Sequence, residues 1–334
     1  MAAPMAGGVS TPELVLAAAD AGALGMLAAG YKSAEQMAAE VQRVTAATEL
    51  FGVNVFAPNP LPIDRGAFAA YRSELAADAA ALNVELVPEP VEDDDDWAAK
   101  VDWLVANPVP LVSFTFGVPD AATVTRLRRA GSVVAQSVTS PAEARLAVAA
   151  GVDALVVQVS AAGGHSATLT PAEPVAGVAL PELVGAVRGV VDVPIVAAGG
   201  VASAADVAGA LAAGADLVSV GTALMLADEA GTNAPHRAAL RDRAADALSA
   251  GDAAAATVVT RAFSGRPARG LRNAFTEAHA DAPLGYPAIH HLTSPLRKAA
   301  AAAGDASRLH LWAGTGFAAA REAPAREILR GLGG

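Results

Sequence analysis

The sequence predicts an α/β protein: a closed (β/α)8 barrel with a smaller, mainly helical domain inserted after the eighth strand. Three observations carry this expectation. One grammar recurs along the chain, an alanine-rich helix, an Ala-Gly stop and a short β-branched run, as in AADAGALGMLAAG, RLRRAGSVVAQS, AVAAGVDALVVQ and ALAAGADLVSVG. The strand candidates are continuous apolar runs, the pattern of parallel strands covered by helices. Eight such runs precede Gly221, where the alternation stops. Eight parallel strands favour a closed barrel over an open doubly wound sheet and place active groups at the carboxyl ends of the strands.

The elements follow in order. A first strand is expected as a stub around Ala3 to Ala6; few residues precede Pro4, so this strand is very short or starts ahead of Met1. Ser10-Thr11-Pro12-Glu13 opens the first helix. The remaining strands are expected at Leu24–Ala28, Val53–Phe56, Leu111–Phe114, Val133–Gln136, Ala154–Val159, Pro194–Ala198 and Leu217–Val220. Ser140-Pro141-Ala142-Glu143 supplies a capping serine, a proline at the first helical position and a glutamate three residues on, and Ser203 with Asp206 reads similarly. Gly22, Gly131, Gly151 and Gly214 stand where a helix closes in the left-handed region. The acidic run from Glu92 to Asp96 reads as a solvated loop whose charges favour the N-terminus of a helix at Trp97. From about Met225 to His291 come a polar helix (Ala234 to Ser249), a small-residue stretch and the basic segment TRAFSGRPARGLRN. The tail from Ser294 through LHLWAGTGF returns to the barrel. The expected domains are therefore residues 1–224 with 292–334 as the barrel, and 225–291 as an inserted lid or substrate domain.

Bulk properties narrow the function. With 334 residues the chain can bury a full core. Hydrophobic residues make up 53%, yet much of this is alanine, and no run of about 20 apolar residues is long enough to span a bilayer. Glu13 and Asp20 interrupt the N-terminal stretch, which has no basic lead, so a signal peptide is not expected and the default address is cytoplasmic. With no cysteine there are no disulfides, no thiolate catalysis and no cysteine-ligated metal. A net charge of -11 argues against a nucleic-acid surface and for a small-molecule partner.

The chemistry concentrates at predicted strand ends. In VVQVSAAGGHSATLT, Gly163 and Gly164 permit close backbone approach to a flat ligand, and His165 is a candidate for proton transfer. A plain tight turn is the rival reading of that stretch. Gly199 and Gly200 follow the seventh strand, and Gly221 and Thr222 the eighth, where barrels bind phosphate through backbone N–H groups. No P-loop lysine is present, so the phosphate of a cofactor fits better than a nucleoside triphosphate. Asn54, Gln136 and Gln158 are amides among apolar neighbours, and Met5, Ala6 and Gly7 lie in a glycine-rich turn after the first strand. Together these describe a slot for a planar heterocycle with a phosphate tail. Arg261, Arg266, Arg269 and Arg272 belong either to a solvated loop or to a site holding an anionic substrate or a pyridine-nucleotide phosphate.

The segments APMAGGVSTPELVLAAADAGALGMLAAGY, FGVNVF, AGGH, AAGGVASAADVAGALAAGADLVSVGT and LWAGTG together resemble the nitronate monooxygenase family, formerly 2-nitropropane dioxygenases, over nearly the whole chain. The resemblance implies an FMN-containing TIM barrel. It implies that backbone around Met5 and Ala6 faces the flavin ring, that Asn54, Gln136 and Gly164 contact it, that Gly199, Gly200, Gly221 and Thr222 hold its phosphate, and that His165 is the catalytic base. Thr315 stands where the family's AGQG carries glutamine. The family's Gln-Gly-x-Glu-Ala-Gly-Gly-His reads here from Gln158 to His165 without its first glycine and its acid. Past the insertion, GYPAIHHLTSP offers Tyr286, His290 and His291 in place of the Tyr-Pro-x-x-Tyr-Asp-x-x-x-Lys expected of authentic nitronate oxidation. The implied function is oxidation of nitronates or nitroalkanes with O2. Its rivals are an NAD(P)H-dependent flavin reductase acting on a quinone or an enoyl thioester, and a non-catalytic phosphate-binding barrel. Nucleic acid and membrane are not expected partners, and a homodimer is allowed.

Overall fold

The computed structural model describes residues 1–174, 176–250 and 253–333. Seven parallel strands form its main sheet in chain order: β1 (Gly25–Ala28), β2 (Phe51–Ala57), β3 (Leu111–Phe116), β4 (Val133–Val138), β5 (Ala154–Gln158), β7 (Ile195–Ala198) and β8 (Leu217–Ser219). The two-residue β6 (Gly164–His165) lies outside this sheet. The sheet is curled, and Ala2 makes parallel bridges both to Gly25 and to Val220, joining its two edges. The first strand expected at Ala3 to Ala6 is thus reduced to this one bridging residue. Pro4 lacks an N–H to give a ladder, and the chain turns from Ala6 to Val9.

The local signals act as physical chemistry requires. Thr11 caps α1 (Pro12–Asp20) by accepting from Leu14 N–H, and Ser140 caps α7 (Pro141–Ala149) by accepting from Glu143 N–H. Ser203 and Asp206 form a reciprocal capping box on α9 (Ala204–Ala212). Gly22, Gly131, Gly151 and Gly214 all have positive φ, the conformation that lets the chain leave a helix without a Cβ clash. The outer helices bury their apolar faces on the sheet in one core. Phe114, for example, packs on Trp97 of α5 (Trp97–Ala106), with ring centroids 5.4 Å apart.

Two further cores lie beyond this one. One joins Phe68, Tyr71 and Leu75, from the long β2–β3 connection, to Phe263, Phe275 and Leu292. The other packs Leu240 and Ala244 of α10 (Ala234–Ala250) on Leu311 and Phe317. The segment expected to be mainly helical also contains β9 (Thr257–Thr260) and β10 (Ala268–Leu271), and β10 pairs antiparallel with β6. The expected boundary at residue 292 falls inside one continuous helix, α12 (Ala288–Ala303). The last helix, α13 (Ala325–Gly333), packs on α1 and α9 and returns the chain to the barrel core. Among the described residues no helix is long and apolar enough to cross a membrane.

The acidic loop is engaged rather than free. Asp95 pairs with the fully buried Lys100 at 2.8 Å and accepts from Tyr31 N–H; Asp96 accepts from Ala34 N–H at the start of α2 (Ala34–Thr45); Asp93 pairs with His291 at 2.6 Å. The expectation of a purely solvated loop is corrected here. These carboxylates tie the loop after β1 to α12, a contact between segments far apart in the chain.

Candidate active site

Strand parity decides which side chains meet inside the barrel. Asn54 Nδ2 donates to Ser113 Oγ (2.9 Å) and Thr115 Oγ1 (3.0 Å), and Thr115 Oγ1 lies 3.3 Å from Ser137 Oγ, so these residues share the inner face. Successive side chains alternate faces. Gln136 therefore points the other way: it stands in register with the outward Phe114, is fully buried, and does not line the cavity. The expectation that Gln136 contacts a ligand is corrected, and Ser137, one residue later, takes its place. Counting by twos along β4 from the inward row would have found it.

At the carboxyl ends of the strands lies a cavity of about 250 Å³. Met5, Ala6, Gly7, Asn54, Gln158, Gly163, Gly164, His165, Gly199, Gly200, Gly221 and Thr222 all line it. Every sequence-derived candidate except Gln136 is thus brought to one place. The wall also contains Tyr31, Phe56, Phe116, His236, His310 and Trp312, which sequence reasoning did not single out, because contacts between distant segments put them there.

One end of the cavity is made of backbone. Gly199 and Gly200 have φ of +115° and +73°. A Cβ at Gly199 would stand 2.8 Å from Val159 Cγ2, so glycine is required there. The N–H groups of Gly200, Val201 and Gly221 donate to no partner among the described residues. Such a turn of free N–H groups is a ready anion cradle. Thr222 Oγ1 accepts from Gly314 N–H at 3.0 Å, fixing the neighbouring loop. Asn54 Oδ1 accepts no hydrogen bond among the described residues, leaving an acceptor for a ring N–H.

The other end holds His165. Gln158 braces its loop, accepting from Ala167 N–H at 2.8 Å and donating to His165 O at 3.4 Å. His165 Nε2 is hydrogen-bonded to Ser264 Oγ at 2.8 Å, and Ser264 Oγ donates to Arg266 O at 3.3 Å. With the single hydroxyl proton directed at that carbonyl, Nε2–H is the donor to Ser264 and Nδ1 keeps its lone pair. Nδ1 makes no hydrogen bond among the described residues. Burial, with Arg266 and Arg297, pushes the imidazole pKa down to about 3, so it is neutral at ordinary pH rather than poised near neutrality. Phe116, Tyr286 and Trp312 surround the ring at centroid distances of 5.6, 6.1 and 5.5 Å.

The basic segment packs behind this wall: none of its four arginines lines the cavity, and Arg266 alone is buried while Arg272 is exposed. Arg266 is fully buried over Phe116, 4.1 Å from the ring centroid; its Nη2 donates to Thr168 O, while Nε and Nη1 have no hydrogen-bond partner among the described residues. Arg269 donates to Ser160 O and Thr257 Oγ1, and Arg272 to Ala255 O. Tyr286 packs on Phe116, and His290 stacks on Tyr31 at 4.2 Å.

The nitronate monooxygenase family model matches residues 1–333. The chain belongs to the nitronate monooxygenase family. A probable nitronate monooxygenase of Staphylococcus aureus (strain Newman) is 33% identical over 332 residues, covering 97% of this chain and 90% of that protein. Among solved structures, a nitroalkane oxidase from Streptomyces ansochromogenes is 47% identical with a TM-score of 0.91, covering 99% of this chain and 93% of the other. FabK from Thermotoga maritima, at 24% identity and a TM-score of 0.73, shares the fold. The family membership expected from the AGGH and AAGGVASA segments thus holds over the whole chain, on a TIM-barrel-like scaffold.

Proposed function

We propose that the protein is an FMN-dependent oxidoreductase that oxidises nitroalkanes or their nitronate anions with O2. The observation that carries this reading is the pairing, in one cavity, of a glycine cradle with free N–H groups and a neutral histidine inside an aromatic wall. Similarity to the nitroalkane oxidase, 47% identical over almost the whole chain, supports it.

In this reading Gly199, Gly200, Gly221 and Thr222 hold the FMN phosphate, and the backbone at Met5, Ala6, Gly7, Gly163 and Gly164 lies along the ring with Asn54. The residues fit the group: free N–H donors meet a phosphate and an open amide oxygen meets a ring N–H. When bound, FMN supplies electron acceptance and delivery to O2. The chain itself supplies placement and proton transfer. His165 takes the proton from the carbon bearing the nitro group at Nδ1, while Ser264 fixes the ring through Nε2. An imidazole kept neutral is always in the state that accepts a proton, at the cost of a weaker driving force. Phe116, Tyr286 and Trp312 exclude water around it, which strengthens electrostatics at the reacting carbon. Residues 1–224 with α13 form the cofactor-binding barrel, and 225–291 with the β2–β3 connection cover its substrate side.

The test is an anaerobic absorption spectrum of the FMN-loaded protein, with an alkyl nitronate and NADPH added in separate trials. Bleaching by the nitronate and not by NADPH is expected. Bleaching by NADPH alone would overturn the reading in favour of a nicotinamide-dependent reductase.

A further inference from the structure

His310 lines the same cavity, and Trp312 packs on both histidines: its ring centroid is 5.6 Å from that of His310 and 5.5 Å from that of His165. Its position invites a role that a packing residue would not need. Nδ1 is fully buried with no partner among the described residues; Nε2 also makes no hydrogen bond among them, yet it is not fully buried, and the residue that carries it lines the cavity. A neutral imidazole has one donor and one acceptor. A proton on Nδ1 would be an N–H orphaned in the interior, the costlier kind of unmet group; an unused lone pair there is tolerated more often. The proton therefore sits on Nε2, aimed at the cavity. Burial, with Arg297, His236 and His165, holds the ring well below its usual pKa, so it donates as a neutral group.

Among the described residues nothing accepts this donor, so it is free for a ligand in the cavity. The chemistry that satisfies it is an oxygen acceptor on the ligand. The positive charges of Arg266 and Arg297 favour an acceptor that carries negative charge; neither has a carboxylate partner among the described residues.

We propose that His310 is a substrate-binding residue, donating from Nε2 to an oxygen of the nitro or nitronate group while His165 faces the adjacent carbon. This rests on the reading of the cavity as a nitro-compound site. It assigns the two histidines different tasks, one accepting a proton and the other holding the group on which negative charge develops.

The test uses FMN-loaded protein, the variants His310→Phe and His310→Gln, and inorganic nitrate as a planar anionic probe measured by calorimetric titration. In His310→Phe, nitrate affinity is expected to fall and the nitronate KM to rise, each by about tenfold, the worth of one hydrogen bond to a charged group. FMN affinity, measured separately on apoprotein, is expected to be unchanged. His310→Gln, whose amide N–H can reach the same oxygen, is expected to recover most of both losses, which a merely structural role would not produce. If His310→Phe does not fold, a His310→Gln variant that loses nitrate binding completely overturns the proposal, and one that keeps it within threefold supports it. Unchanged nitrate and nitronate binding in His310→Phe, or a loss of FMN affinity in their place, also overturns it. Loss of nitrate binding in a protein that turns over no nitro compound would leave His310 as an anion donor and remove the functional reading alone.

Discussion

Replacing Arg266 with methionine removes one positive charge from behind the cavity wall at little cost in volume. The guanidinium lies 4.1 Å from the Phe116 centroid, and that ring is 5.6 Å from His165. A charge bound beside His165 is then roughly 10 Å from the guanidinium, and at an effective dielectric of about 20 Coulomb's law gives about 1.7 kcal/mol. For a nitronate anion this is about 20-fold in affinity; for a neutral nitroalkane it is close to nothing. Burial lowers the Arg266 pKa to about 10, so the charge is present at neutral pH. Folding stability is expected to change little, because methionine also relieves a buried guanidinium with two unpaired nitrogens, offsetting the lost bond to Thr168 O. The assay is steady-state turnover of a nitroalkane and of its preformed nitronate by the same flavin-normalised preparation, with Arg266→Lys as control. An equal loss for both substrates, or less than a threefold change for the nitronate, would refute the electrostatic argument.

Three further outcomes follow from the structure. His165, His236, His290 and His310 all have pKa values pushed below the ordinary value, chiefly by burial, the first two to about 3 and about 4. Folded protein thus refuses protons that the unfolded chain accepts below about pH 6.5, and each such histidine costs about 1.4 kcal/mol per pH unit on acidification. Asp95, raised to about 6 by burial, works in the opposite sense and offsets part of this loss. Urea melts between pH 7 and 5 should show steeply falling stability, and His290→Gln should flatten the slope; a flat wild-type profile would contradict these shifts. Gly163→Ala puts a Cβ 2.5 Å from Gly314 N, so thermal melts should show a loss of about 1–3 kcal/mol, with FMN affinity falling alongside as the two loops part. Lys100→Met strands Asp95 in the interior and should cost about 3 kcal/mol by urea titration. The double variant with Asp95→Asn should recover most of that loss.

Much of this molecule was legible in the order of its residues. The caps at Thr11, Ser140 and Ser203 and the stops at Gly22 and Gly131 are local features, set by hydrogen bonds within a few residues, so they survive without tertiary knowledge. The glycine pairs near 163 and 199 were legible for the same reason, since a turn that needs free N–H groups or close approach admits few other residues. Gln136 was misplaced because an amide in an apolar run signals a polar site without saying which face it takes. Register against β3 decides that, and it exposes Ser137 instead. The basic segment was left open between a solvated loop and an anion site, and only tertiary packing puts Arg266 among the most buried side chains of the chain.

From the sequence alone came the αβ repeat, the position of the glycine turns and of His165 at the cavity, and the family to which the chain belongs. Each depends on short-range patterning that any folded version of this chain must honour. Tertiary structure alone decided that Ala2 joins the sheet edges, that Asp95 reaches Tyr31, that Trp312 packs at His165 and that Arg266 lies over Phe116. Those contacts join residues tens to hundreds of positions apart. Only the closing of the sheet and the packing of the later segments over its mouth bring them within reach, and no local preference encodes that distance.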